Sequence, residues 1–399
     1  MAKNKKKKKK LGKWVLFRDG LINTILSLVV CYLLSLLFLN ITFFNPITKA
    51  LQDFSFLDVY YSERLNADPN IEPNILLINI EHKTRNEIGL MLKEVLKAKP
   101  KVVGFDVVLK EFRKTAEDSL LASYLDNKRV VNSFVIDKEE FISNHSFFSG
   151  SNDIGFVNFN LNNQNSVIRE FDSEIKQHNK IYKSFSLQIA KKYLNNHEWK
   201  NLNIDKKLKN SSVINYKGNL EKFLSFSIDE FMLLKDKSIV ENKIVLVGYL
   251  GTPTGNVFDV EDKHFTPLNE ITSGKSIPDM YGLVIHANII AMILNNSFMF
   301  EVGNGWIFFL MFFFSLLASI YFIWLSRRLK ISYRTARKAV LFVFAILLVW
   351  FTLVLFKKGI VIKSAPIIAV TVFSAGFIKF YKHLVRWINT KLKFKSYLK

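Results

Sequence analysis

The chain has 399 residues, one cysteine, and 56 Lys+Arg against 34 Asp+Glu, a formal net charge of +22. One cysteine, Cys31, excludes an intramolecular disulfide. The positive surplus does not mark a nucleic-acid binder. Residues 45–303 hold 31 basic and 33 acidic residues, while the other basic residues flank or interrupt apolar runs with Asp19 as their sole acid.

In chain order, residues 1–20 read as a lysine-rich cytoplasmic tail, and its first ten residues, nearly pure lysine, have no apolar surface to bury. Residues 21–44 are apolar over a length that spans a bilayer. They run longer than a signal-peptide core and lack a small-residue cleavage site, so they read as an uncleaved anchor.

Residues 45–303 read as an extracytoplasmic α/β domain. Ile75–Ile80 is a continuous apolar run, a strand covered on both faces. Thr84 and Glu87 have capping-box spacing, and Ile88, Leu92, Val95 and Leu96 recur at helical spacing. Lys97, Lys99 and Pro100 end that helix, and Val102–Phe105 begins a second strand. The unit is βαβ, with parallel strands and a right-handed crossover.

A helix over Asp118–Asp126 and a strand over Arg129–Ile136 extend it to βαβαβ. Further on, Gly155–Phe159 and Val167–Phe171 are expected to pair as a hairpin, and Tyr182–Leu194 to form a helix. Strands follow at Ser212–Tyr216 and Lys243–Val247, with a capped helix at Ser227–Leu234 between them. Tyr281–Leu294 is an apolar helix leading back toward the membrane. The expected class is α/β: a Rossmann-like, mostly parallel sheet inserted between one N-terminal and three C-terminal transmembrane helices.

Those three spans are residues 304–326, 339–356 and 360–380. Lys363 and Pro366 interrupt the last, and Lys363 is expected to snorkel to the interface. A basic loop, 327–338, separates the first two. A basic amphipathic tail, 381–399, follows the third. Counting positive charge puts both termini and that loop in the cytoplasm, and residues 45–303 in the periplasm of a bacterial inner membrane.

Three constellations are candidates for chemistry. Glu81 and Asp106 stand at carboxyl ends of strands, where open α/β sheets bind ligands; carboxylates there also cap helices and bind loop amides. Gly248-Tyr249-Leu250-Gly251 follows a strand as phosphate-cradling turns do, yet fits neither G-x-G-x-x-G nor the P-loop, and reads as a tight turn. Asp259, Asp262, His264, Thr266 and His286, with Asn288, include two Asp and two His that could ligate a metal, at no recognised spacing. His286 sits in GLVIHANII, where a hydrogen-bonded core histidine is the commoner reading. No metal and no cofactor are expected.

The segments NILLINIEHKTRNEIG, KAKPKVVGFDVVL, VINYKG, NKIVLVGYLG, the loop with Asp259 and Thr266-Pro267, and GLVIHANIIAMIL occur in the order found in CHASE2 domains. The chain resembles that family over most of residues 58–295, framed by one span before and a cluster after. The resemblance implies a bacterial extracytoplasmic sensor domain and marks Asp106, Asp259, Thr266, His286 and Asn288 as family-motif positions. It transfers no catalytic residue. Family members usually signal to a cytoplasmic kinase or cyclase; this sequence shows no such domain after its last span. The expectation is therefore a non-enzymatic sensory subunit acting through the lipid bilayer on a separate cytoplasmic or membrane protein, or on a second copy in a homo-oligomer. The alternatives are a structural or assembly subunit of an envelope complex and, more weakly, an enzyme using the sheet-edge carboxylates.

Overall fold

A computed structural model describes residues 12–40, 70–137, 140–148, 153–159, 167–208, 211–252, 260–269, 277–329, 332–392 and 394–398. The chain divides into two compact units: residues 50–299, and residues 1–49 together with 300–399. The second unit contributes α1 (Lys13–Asn40). The first then runs β1 (Glu72–Asn79), α2 (Arg85–Lys97), β2 (Val102–Phe105), α3 (Ala116–Leu125), β3 (Val130–Asp137), β4 (Glu140–Ile142) and β5 (Ile154–Phe156). It continues through β6 (Glu170–Asp172), β7 (Glu174–Gln177), β8 (Lys180–Lys183), α4 (Phe185–Tyr193), β9 (Ser211–Val213), β10 (Phe223–Ser227) and α5 (Ile228–Leu233). It ends with β11 (Ile244–Gly248), β12 (Lys263–His264), β13 (Met280–Tyr281) and α6 (Gly282–Leu294). The helical unit resumes with β14 (Phe300–Glu301), α7 (Asn304–Arg328), α8 (Tyr333–Phe356), β15 (Ile360–Val361) and α9 (Ser364–Lys391).

The central sheet has the order β10-β1-β11-β2-β3, with β5 parallel and β4 antiparallel to β3. All the other pairings in it are parallel. The central strands β1, β11 and β2 carry buried apolar runs because both faces of the sheet are covered there. On one side Leu76, Ile78, Val103, Phe105, Val245 and Val247 meet α2, α3 and α5. On the other, α4 lies so close to β2 that a Cβ at Gly104 would fall 2.5 Å from the Ile189 side chain. α6 is buried from Gly282 through Ile293. An all-round apolar helix of that kind belongs inside a domain.

The capping boxes at Thr84–Glu87 and Ser227–Glu230 form as their spacing predicts. β11 enters the sheet between β1 and β2, so the strands of the first βαβ unit are parallel without being adjacent. Two expectations need correction. Residues 170–172 pair with 211–213, and β5 pairs with β3, so no hairpin joins the two. The helix expected from Tyr182 begins at Phe185, because Ser184 caps it and Lys180–Lys183 are taken by a hairpin strand.

In the helical unit α1, α7, α8 and α9 are each long and apolar enough to cross a membrane. α1 is joined to α7 and α9 by a polar seam. Asn23 Nδ2 donates to Ser319 Oγ (2.9 Å) and to the Ser374 carbonyl (3.1 Å). Thr24 Oγ1 reaches Ser319 Oγ at 3.0 Å, and Ser27 Oγ meets Ser374 Oγ at 2.6 Å. Small side chains and interhelical hydrogen bonds are what hold helices together where no hydrophobic force acts between them. Lys363 does not snorkel freely: its Nζ pairs with Glu301 at 2.7 Å. Pro366 falls in the first turn of α9, where its missing N–H breaks no helical bond.

Candidate functional site

At the carboxyl edge the parallel register lines up one row of residues. Asn79 pairs with Ser227 on one side and Gly248 on the other. Continuing the β11–β2 and β2–β3 registers by one residue aligns Gly248 with Asp106, and Asp106 with Ser133. The Asp106 N–H donates to the Val247 carbonyl at 2.8 Å, which fixes that alignment. Gly248 is required here, since a Cβ would lie 3.0 Å from Leu283 and 3.3 Å from the Asp106 Cβ. Its missing side chain opens the space beside the carboxylate.

Asp106 is partly open to water but set deep among protein atoms, the mark of a recessed position. Burial first, and then the charge of Asp262, lift its pKa to about 7, while Ser133 pulls the other way. Ser133 Oγ is itself buried with no hydrogen bond of ordinary geometry. Asp262 lies at the start of α6. Its carbonyl accepts the Gly282 N–H (3.0 Å), and its carboxylate oxygens are 3.2 Å from where a Gly282 Cβ would be. A helix N-terminus favours that negative charge.

The Gly248–Gly251 turn is held from outside. Asn79 Oδ1 accepts the Leu250 and Glu81 N–H groups (2.9 and 3.0 Å), and Nδ2 donates to the Gly251 carbonyl (2.8 Å). One amide side chain thus fixes two loops. Glu81 takes a left-handed conformation (φ 49°) in the turn after β1. It stands two strands away from Asp106, roughly 10 Å at ordinary strand spacing, and the structure does not bring the two carboxylates together.

His286, Asn288 and Thr266 make hydrogen bonds within the domain. His286, 3% exposed, has Nδ1 at 2.8 Å from Ser186 Oγ and its other nitrogen on the Val157 carbonyl. Phe159 and Phe185 pack on its ring at 4.6 and 5.2 Å. Burial drives its pKa down to about 3, so it is neutral; Val157 requires the Nε2–H tautomer, and Ser186 then donates. The Ser–His distance matches a nucleophile–base pair, but both groups are sealed from substrate. Asn288 is fully buried: Oδ1 accepts the Lys217 N–H (2.7 Å), and Nδ2 donates to the carbonyls of Gly218 (2.9 Å) and Val284 (3.0 Å).

Thr266 gives both its N–H and its hydroxyl to Asp279, which tethers the loop ahead of α6. Asp259 lies outside the described residues. Among the described residues no three His, Cys, Asp or Glu side chains converge as metal ligands would.

In the helical unit, Asp19 is a buried acid. It accepts hydrogen bonds from Ser396 Oγ and the Tyr397 N–H, both at 2.6 Å, and pairs with Arg18 at 3.1 Å. Arg18 also lies over the Phe394 ring (4.4 Å), Arg327 over the Tyr397 ring (4.7 Å), and Leu398 is buried. The sequence reading treats residues 381–399 as one amphipathic tail. Instead α9 continues to Lys391, and residues 394–398 pack back beside the start of α1.

A family model described as CHASE2 domain matches residues 28–321. No curated protein matches the chain, and no solved structure does.

Proposed function

The chain belongs to the CHASE2 family, whose members are sensory extracellular domains, and from that premise we propose that it is a membrane-embedded sensory subunit of the bacterial inner membrane. Residues 45–303 face the periplasm, receive an envelope signal, and pass it through the spans to a separate cytoplasmic or membrane partner. The observation that carries this reading is the segregation of charge. Nearly neutral residues 45–303 lie between helices long enough to cross a membrane, and the basic surplus is concentrated at the opposite ends of those helices.

The recess at Asp106, Ser133 and Gly248 supports a receptor over a passive wall. It sets a carboxylate beside a buried Ser133 hydroxyl that lacks a hydrogen bond of ordinary geometry, where native domains satisfy nearly all such buried groups. The bonded seam between α1, α7 and α9 supports a relay, because it ties the span before the domain to spans after it.

The test is topology. In a Cys31→Ser background, cysteines replace Ile181 and Leu392, both well exposed. An impermeant thiol reagent should label position 181 in intact cells with a permeabilised outer membrane, and position 392 only after lysis. Labelling at 392 before lysis overturns the proposed orientation.

A further inference from the structure

A cavity of about 550 Å³ opens where β8 meets the end of α4. Lys180, Lys183, Lys191 and Lys192 line it, with Asp153 as its sole acid and Ile154, Ile181 and Tyr182 as its apolar wall. Asp153 is taken by Lys192 at 2.7 Å. Burial first, and then the neighbouring Lys191, push the Lys183 pKa down, while Glu174 and Asp205 act the other way. Cations at a helix C-terminus are favoured by the dipole, which accounts for Lys191 and Lys192. It does not account for Lys180 and Lys183, which arrive from a different element.

The concentration is local: residues 45–303 as a whole carry more acid than base. Beside the lysines, Ile181 and Ile154 expose 60% and 45% of their surface, apolar area that a bound molecule would cover. The volume lies in the range of small-molecule sites.

We infer that this cavity binds a phosphate-bearing anion, the phosphate bridging Lys183 and Lys191 and the body of the ligand lying on Ile154, Ile181 and Tyr182. The phosphate accepts a charge-assisted hydrogen bond from each ammonium. The inference names the ligand class for the sensory reading and rests on that reading for its purpose, but binding is measurable without any response.

The test uses the full chain purified in detergent or reconstituted. Inorganic triphosphate is titrated calorimetrically, and phosphatidylglycerol vesicles are tested by flotation against neutral phosphatidylcholine vesicles. The expected result is saturable binding of triphosphate, of the anionic vesicles, or of both, weakened at least tenfold in Lys183→Gln/Lys191→Gln. Triphosphate alone identifies a soluble phosphate, and vesicles alone identify a lipid headgroup. A melting temperature for the double variant within a few degrees of the parent's shows that it is folded, and Lys206→Gln/Lys207→Gln should bind as the parent does. Binding of neither probe, or equal binding by the double variant, overturns the inference. Because topology is scored separately, that failure leaves the sensory reading standing.

Discussion

Replacing Asn288 by alanine separates a folding role from a ligand role at a family-motif position. The amide is fully buried and spends its hydrogen bonds on the Lys217–Gly218 turn and on α6 itself. Alanine leaves the Lys217 N–H and the Gly218 carbonyl without those partners, in a place water does not reach. Each stranded group costs about 1–3 kcal/mol, so the two together cost about 2–6 kcal/mol. For a unit of this size, about 3 kcal/mol lowers Tm by roughly 6–12 °C. Thermal unfolding followed by proteolytic susceptibility of the α/β unit measures it, and Asn288→Asp should also destabilise because its second oxygen faces two carbonyls. An Asn288→Ala protein that melts within about 1 °C of the parent would refute the hydrogen-bond assignment and return Asn288 to the list of ligand candidates.

Asp106 predicts a pH slope. Its folded pKa is raised to about 7, so between roughly pH 4 and 7 the folded state holds a proton that the unfolded chain has lost, and stability falls as pH rises through that window. Chemical denaturation at several pH values should show the slope, and Asp106→Asn should remove its share; an unchanged slope sinks the assignment. Thr266→Val deprives Asp279, whose pKa burial already raises, of a hydroxyl that opposes the rise. The variant should lose about 1–3 kcal/mol at neutral pH and less toward pH 4, and equal loss at both pH values would refute the pairing. Leu398→Cys should react slowly with a maleimide in the solubilised protein and quickly when Asp19→Asn is added; equal rates would show that Asp19 does not hold residues 394–398.

The parts legible in the sequence are those with local causes. Ile75–Ile80, the Thr84–Glu87 box and Val102–Phe105 announce the first crossover, because apolar runs and capping residues act within a few residues of themselves. The insertion of β11 between β1 and β2 is not legible, since any apolar strand fits either slot and more than a hundred residues separate the two. The same limit hides Asn79. An Asn closing an apolar strand signals a turn, but only the sheet order shows that its amide reaches Leu250 and Gly251. His286 and Asn288 stand out as polar residues in an apolar helix, and Thr266 lies in a polar loop beside Asp262 and His264. Their surroundings, which the sequence does not display, assign them to hydrogen bonds inside the domain. Lys180 and Lys183 read as an ordinary charged stretch until β8 folds them against Lys191.

The packing of residues 394–398 changes where an output surface has to be sought. Phe394 and Tyr397 are engaged by Arg18 and Arg327, and Ser396 and Leu398 are buried. What remains outward at the end of α9 is a different set. Phe380 and Trp387, 59% and 58% exposed, are seven residues apart and so share a face of one helix. Asp19 gives that helix a fixed relation to the span that precedes the sensory domain, because three of its partners come from residues 381–397 and Arg18 sits beside it. A buried carboxylate separated from such partners loses several kcal/mol. Under the proposed relay, a shift of α1 that separated them would be paid for only by a signal of comparable size, so small movements of α1 carry α9 along. The relay then behaves as a rigid lever at this end, and the Phe380–Trp387 face, not the aromatic residues of 394–398, is the surface that moves against lipid or a partner.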